Sequence, residues 1–328
     1  MHGRQGGYYL IGEDTMKNKA KSLIMLIFIL LLVISVYAEE KKSFKPKFSL
    51  KFTTGWGSAF PIGDVNTCLE SFNNNSVFMD YRKYKPAQLV GEIKTLDGKT
   101  SHWEAELGFN LTPRIGFGIA TAGSFHTRNE SSLTYTFVGA FGPQITTWTF
   151  KPEVKVSNPV RLSIYYTIFS HPKINFSVGG GFGFYLGKAA QTLEIYLIRP
   201  VGIPELTTYQ WDAERNFSIG FHGNVVLEYY FTRRLALVAE LQQTYVKIRG
   251  LKGILKKNSS FGFYFEESGT LYYFTEWDLL IIEGARHACL TVWSHIYEGS
   301  VTERHDIRKA VLDLSGYSFR IGIRIRLF

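Results

Sequence analysis

The constraint that dominates this chain is a strict alternation of apolar and polar residues. It runs through eight segments: 47–57, 101–111, 115–127, 160–169, 174–187, 217–231, 235–245 and 317–327. Successive side chains of an extended backbone point to opposite faces, so this period is a strand signal. In the first segment Phe48, Leu50, Phe52, Thr54 and Trp56 oppose Lys47, Ser49, Lys51, Thr53 and Gly55. In the last, Tyr317, Phe319, Ile321, Ile323, Ile325 and Leu327 oppose Ser318, Arg320, Gly322, Arg324 and Arg326. No apolar face in the set carries a charge. Each segment has the roughly ten residues that a tilted strand needs to cross a bilayer.

The chemistry of the two faces separates two kinds of closed sheet. A soluble barrel turns its apolar face inward; a membrane barrel turns it to lipid and keeps small or polar residues in the lumen. Three features favour the second. The polar faces are rich in glycine, as in 179–183 (GGGFG), which suits a crowded interior. Trp56, Trp103, Tyr166, Tyr229, Phe231, Tyr245 and Tyr317 sit near segment ends, where interfacial aromatic girdles lie. The chain also ends on an alternating segment with a terminal Phe328. Connections alternate between tight (112–114, 170–172 and 232–234) and long, after Gly57, Thr127, Gly187 and Tyr245. The expected fold is all-β: a transmembrane antiparallel up-and-down β-barrel of eight strands. Ten strands is the alternative, with 131–141 and 145–156 paired about Gly142 and Pro143. An extended external hairpin accounts better for those residues, because 151–156 (KPEVKV) reads as rim sequence.

Composition removes other classes. With 45% hydrophobic and 16% aromatic residues the chain is not disordered. Two cysteines in 328 residues do not make a disulfide scaffold. The only long apolar run is 23–36 (LIMLIFILLLVISV), too short and too solitary for a polytopic helical protein. Lys17, Lys19 and Lys21 precede this run, and Ala38 precedes Glu39 and Glu40. That order is a secretory signal peptide cleaved after Ala38, with translation starting at Met16. Residues 1–38 therefore read as an upstream extension and signal, and 39–328 as a single barrel domain. Cleavage would remove four basic and two acidic residues, taking the net charge from +9 to +7.

On these residues the chain resembles a family. The last segment, GYSFRIGIRIRLF, is similar to the closing strand of bacterial outer-membrane barrels. The first, KFSLKFTTGWGSAFPIGDVN, is similar to the opening strand of OmpA-like, opacity-like and OmpW-like eight-stranded barrels. The resemblance implies export to the bacterial outer membrane, assembly by the outer-membrane insertion machinery, and no cofactor. It also implies that Phe328 is the insertion signal, although Leu327 holds the lipid-facing register and Phe328 falls one residue past it.

Candidate site residues follow from the inward faces. Lys51, Glu104, Glu106, Arg161, Glu228, Glu240, Arg320, Arg324 and Arg326 would form a lumen ion-pair network, with Lys47 on the same face of the first strand. An eight-stranded interior is just wide enough for side chains, so a salt-bridged plug is the expectation and a gated pore the rival. Ser124, His102 and Glu104 are weak catalytic candidates, since a Ser/His/Glu cluster could serve lipid deacylation. Chance contact on a polar face is the plainer account. The glycines of 179–183 lie mid-strand without a following helix, so they are not a phosphate loop. No histidine spacing suggests a metal.

Cys68 in the first long connection and Cys289 in the last stand as a candidate disulfide. Lys247, Arg249, Lys252, Lys256 and Lys257 form either a solvated loop face or a site for lipopolysaccharide phosphates. The expected function is an integral outer-membrane barrel with long external loops and a structural or surface-interaction role. It is expected to be a non-enzymatic monomer whose partners are outer-membrane lipids, with no nucleic acid. The alternatives are a narrow porin-like channel for small or hydrophobic solutes and a lipid-modifying enzyme.

Overall fold

Three tight hairpins start the architecture. Leu111 N–H donates to Ile115 O, His171 N–H to Ile174 O and Phe231 N–H to Leu235 O. In the computed structural model these turns join strands of one antiparallel sheet. Residues 47–57, 60–74, 88–139, 142–277, 286–293 and 304–327 are described. The strands are β1 (Lys47–Gly57), β2 (Gln88–Gly91), β3 (Thr100–Asn110), β4 (Ile115–Arg128), β5 (Ser131–Gly139), β6 (Gly142–Ser170), β7 (Ile174–Ile198) and β8 (Glu205–Tyr230). They continue with β9 (Leu235–Tyr245), β10 (Lys247–Arg249), β11 (Lys252–Ser259), β12 (Tyr264–Trp277), β13 (Arg286–Trp293), β14 (Arg304–Lys309), β15 (Val311–Asp313) and β16 (Gly316–Arg326). Among the described residues one helix, α1 (Asp64–Asn74), follows β1.

Eight of these strands close into a ring, in the order β1, β3, β4, β6, β7, β8, β9, β16 and back to β1. Every neighbour is antiparallel. Closure rests on β16 against β1, where Arg324 faces Lys51 and Ile323 faces Phe52. A closed ring has no unpaired edge at this level. The outside of the ring is apolar and exposed: Phe52 is 47%, Trp56 65% and Ile323 43% accessible. Trp56, Trp103, Tyr245 and Tyr317 mark one end of this belt. Tyr229 and Phe231 mark the hairpin end.

The extra pair that would have made ten strands lies outside the ring. β5 folds back on the upper part of β6 and pairs onward with β2. The loop expected at 170–172 is shifted by one residue to 171–173, because a register shift between Thr167 and Phe169 puts one more residue into β6. The larger difference is in the long connections. Much of their length is strand: β6, β7 and β8 run 29, 25 and 26 residues and project far past the ring. There they join β11, β12 and β13 in the same sheet.

The inner face changes character where the ring ends. β6 buries Phe150, Val154 and Val156 at even positions, then Arg161, Ser163 and Tyr165 at odd ones. A register shift between Ser157 and Val160 makes the switch. β8 switches from Trp211 and Ala213 to His222, Asn224, Val226 and Glu228, with a shift opposite Tyr185–Gly187. Because side chains alternate with period two, one inserted residue inverts every later position. Below this level the interior is polar; above it the interior is apolar.

Helix α1 packs into that apolar stage. Val65, Cys68, Leu69 and Phe72 are buried at i, i+3, i+4 and i+7, a single helical stripe. They join a core with Phe150, Trp211, Leu271, Leu290, Val292, Leu312 and Leu314. Asp64 ties the helix start to the sheet. It accepts hydrogen bonds from Arg308 at 2.5 and 2.6 Å and from the Val311 N–H at 2.8 Å. Gly63 turns the chain into the helix at φ 66°, pressed so closely on the Val311 carbonyl that a side chain has no room.

Candidate functional site

The ring lumen holds charges at positions that the strand register dictates. Lys51 on β1 sits between Glu106 on β3 and Arg324 on β16. Glu240 on β9 faces Arg320 across one ladder and Val226 across the other. Arg161 on β6 faces Ala120 and Gly183, small neighbours that leave its guanidinium room to reach across.

These side chains form one connected set. Lys51 Nζ lies 2.8 Å from Glu240, 3.0 Å from Glu106 and 3.8 Å from Glu104. Glu104 binds Arg161 at 2.5 Å through Oε1 and Arg320 at 2.5 Å through Oε2. Arg324 pairs with Glu228 and reaches Glu106 at 3.4 Å. Neutral groups complete the shell. Tyr165 donates its hydroxyl to Glu106 at 2.5 Å, and Asn224 donates to Glu240 at 3.0 Å. Arg326 sits at the hairpin end, stacked over the Tyr230 ring and bonded to its hydroxyl. The side chains of Lys51, Glu104, Glu106 and Glu240 have no solvent exposure. The lumen is therefore filled at this level. Charges so placed need partners, because an unpaired buried charge is costly.

The glycines make room for this packing. A Cβ on Gly118 would lie 2.7 Å from the Glu106 carboxyl carbon and 3.0 Å from the Tyr165 ring. One on Gly179 would lie 2.5 Å from Asn224 Oδ1 and 2.7 Å from the same ring. The GGGFG stretch, mid-strand in β7, thus clears space for the lumen side chains.

The remaining candidates fall differently. Ser124 is exposed, and the β3–β4 ladder stops at Glu104 and Ala122, short of a facing His102. His102 Nε2 accepts a hydrogen bond from Arg320 Nε at 2.9 Å, and both Glu104 oxygens are held by arginines. No described hydrogen bond joins Ser124, His102 and Glu104, so they do not form a relay. Cys68 is a buried free thiol, and burial pushes it up to about 12. The Cys289 side chain, Phe328 and residues 1–38 lie outside the described residues.

The basic cluster is dispersed. Lys247 pairs with Asp313 at 3.4 Å on the small β10–β15 ladder, and Lys256 pairs with Glu266 at 3.6 Å on β11. Lys257 lies over the Tyr209 and Phe263 rings. Sequence reasoning passed over Tyr165, Asn224, Gln242 and His222, which are buried in the lumen. Their inward parity was the available signal. It also passed over the whole apolar stage, where the inward parity of β6 and β8 runs opposite to that in the ring.

No family model matches the chain, and no curated protein does. Two solved structures to which it is similar are outer-membrane proteins. One is a major outer membrane protein from Thermus thermophilus, 11% identical with a TM-score of 0.31 over 87% of this chain and 100% of that one. The other is the outer membrane protease OmpT from Escherichia coli, 10% identical with a TM-score of 0.26 over 88% of this chain and 99% of that one. Likeness this distant assigns no activity to the chain.

Proposed function

We propose that this chain is an integral outer-membrane β-barrel with a sealed lumen, whose external sheet and helix serve surface interaction. The observation that carries this reading is the belt. Phe52, Trp103, Leu107, Ile119, Phe182, Leu227, Leu237 and Ile323 surround the ring, all exposed, with no charge among the outward positions. Soluble monomers seldom expose contiguous apolar patches above a few hundred Å², and a lipid annulus is the environment that would cover a closed band. The end-strand resemblance specifies the bacterial outer membrane, and lipids of that membrane are the partners of the belt. Ring closure without an edge supports a monomer.

The filled lumen favours a structural or recognition role over conduction. The engagement of His102 and both Glu104 oxygens by arginines favours a non-enzymatic one. Two measurements on the protein expressed in a Gram-negative host test the proposal. It should remain with outer-membrane fractions through alkaline carbonate extraction, and it should give no stepwise conductance in planar bilayers. Extraction into the soluble fraction would refute the membrane placement. Steady single-channel steps that change in Arg324→Ala would refute the sealed lumen.

A further inference from the structure

Two neighbouring hairpins at the far end of the external sheet turn on one pattern, a glycine flanked by apolar residues. The β7–β8 turn carries Val201, Gly202 and Ile203, and the β11–β12 turn carries Phe261, Gly262 and Phe263. Both glycines take positive φ, 117° and 81°, which glycine adopts at no steric cost. A Cβ on either would meet nothing within 4 Å, so both turns are convex. The β8–β11 ladder runs to Thr207 and Ser259, and Ser260 N–H donates to Leu206 O, so the tips stand side by side. Ile203 is 79% and Phe261 65% exposed, and Val201, Phe263 and Tyr264 are exposed beside them.

This second apolar zone is separate from the belt. Ile198 lies twelve residues beyond Leu186, the last exposed apolar residue of β7 in the ring. At about 3.3 Å per residue that is about 40 Å along the strand. The stretch between them is charged: Lys188 pairs with Asp212 at 2.6 Å, and Lys151 with Glu194 at 2.8 Å. Lipid that covers the belt therefore does not cover the tips.

Charge narrows the occupant. Glu205 is engaged by Arg199 at 3.5 Å, and Glu266 by Lys256 at 3.6 Å and by the Tyr264 hydroxyl. Lys257 lies over the Tyr209 and Phe263 rings and has no carboxylate partner among the described residues. An apolar apex with a tyrosine and a cation at its shoulder suits the interface of a phospholipid bilayer. A second copy suits it less, because a two-fold contact sets each patch against itself and brings the two Lys257 cations together. A convex apex also demands a matching concavity in a protein, whereas lipid conforms to it.

We infer that the paired tips dock a second phospholipid bilayer, one that faces the membrane holding the ring. Val201, Ile203, Phe261 and Phe263 enter its acyl boundary, and Lys257 lies among its headgroup phosphates. The inference rests on the surface-interaction role of the external sheet and names the partner as lipid.

The full chain in lipid nanodiscs, passed over immobilised protein-free phosphatidylcholine vesicles, tests it, with empty discs as the blank. Loaded discs should be retained saturably. Ile203→Ser combined with Phe261→Ser should weaken retention at least about tenfold through lost transfer of apolar surface. Its heat-modifiable gel shift should persist, since both residues are exposed turn positions. Vesicles of phosphatidylcholine and phosphatidylserine in equal parts should bind about fivefold more tightly, the effect of one cation at an anionic surface. Lys257→Gln should remove that gain and leave binding to phosphatidylcholine alone unchanged. A chain that enters discs and keeps its gel shift, yet is retained no better than empty discs, would overturn the docking and leave the barrel reading standing. Equal retention of the double serine variant would also overturn it. So would capture by surface-bound discs of the same chain without capture by vesicles, which assigns the tips to a second copy.

Discussion

Replacing Glu104 with leucine should destabilise the ring more than any surface change could. The carboxylate accepts from Arg161 and Arg320 at 2.5 Å each and lies 3.8 Å from Lys51. Hydrogen bonds to charged groups contribute about 1.5–3 kcal/mol each, so two give about 3–6 kcal/mol. Removing one partner of a buried ion pair costs about 3–5 kcal/mol by direct comparison. Both routes centre near 4 kcal/mol, roughly a thousandfold in the folding equilibrium. The lumen set has five cations (Lys51, Arg161, Arg320, Arg324, Arg326) and four carboxylates (Glu104, Glu106, Glu228, Glu240); the substitution leaves five against three. Urea unfolding of protein refolded in micelles, followed by tryptophan fluorescence, reads the change. Adding Arg161→Met to Glu104→Leu removes one of the stranded cations, so the double variant should recover more than about 1 kcal/mol relative to additivity. A loss below about 1 kcal/mol in Glu104→Leu, or strict additivity in the double variant, would mean that these charges are hydrated and uncoupled. The plugged-lumen reasoning would then fail.

Two other outcomes rest on the belt and the helix. Ile323→Arg places a charge in the outward belt opposite Phe52 and Leu237; it should cost about 2–4 kcal/mol in a bilayer and lower the assembled fraction on heat-modifiability gels. Cys68 should resist maleimide at pH 8 in the folded protein, because burial holds its thiol up at about 12. Since the unfolded thiol ionises near its ordinary value of 9.0, this group's contribution to stability is present below that pH and lost as pH rises towards 12. Arg308→Ala, which removes two hydrogen bonds from Asp64 at the helix start, should speed Cys68 labelling severalfold. Unchanged labelling would show that the Asp64 anchor does not hold the helix down.

The ring was legible because each strand is apolar on one face and polar on the other where it passes through the ring. Phe48 to Trp56 and Tyr317 to Leu327 show the outward period without interruption, and the hairpins at Leu111–Ile115 and Phe231–Leu235 fall where parity puts them. The upper halves of β6, β7 and β8 were not legible. The apolar positions of β6 and β8 switch face at the bulges near Ser157–Val160 and Arg215–Ser218, so the faces assigned in the ring do not carry over to the upper halves. Helix α1 was hidden for another reason. Its stripe is short, and its end is held by Arg308, 244 positions away.

Period-two patterning is a local property, and it separates an apolar side from a polar side along each segment. It carries the strand class, the charge-free outward face and the set of charges that must face inward. Which of those charges meet depends on shear between strands distant in the chain. Lys51 reaches Glu240 across 189 positions and Arg320 reaches Glu104 across 216. Closure of the ring and the stacking of an apolar core upon a polar one arise only when β16 pairs with β1 and the bulges align. Ion pairs are set by distances of a few ångströms between elements, and such distances exist only in the folded chain.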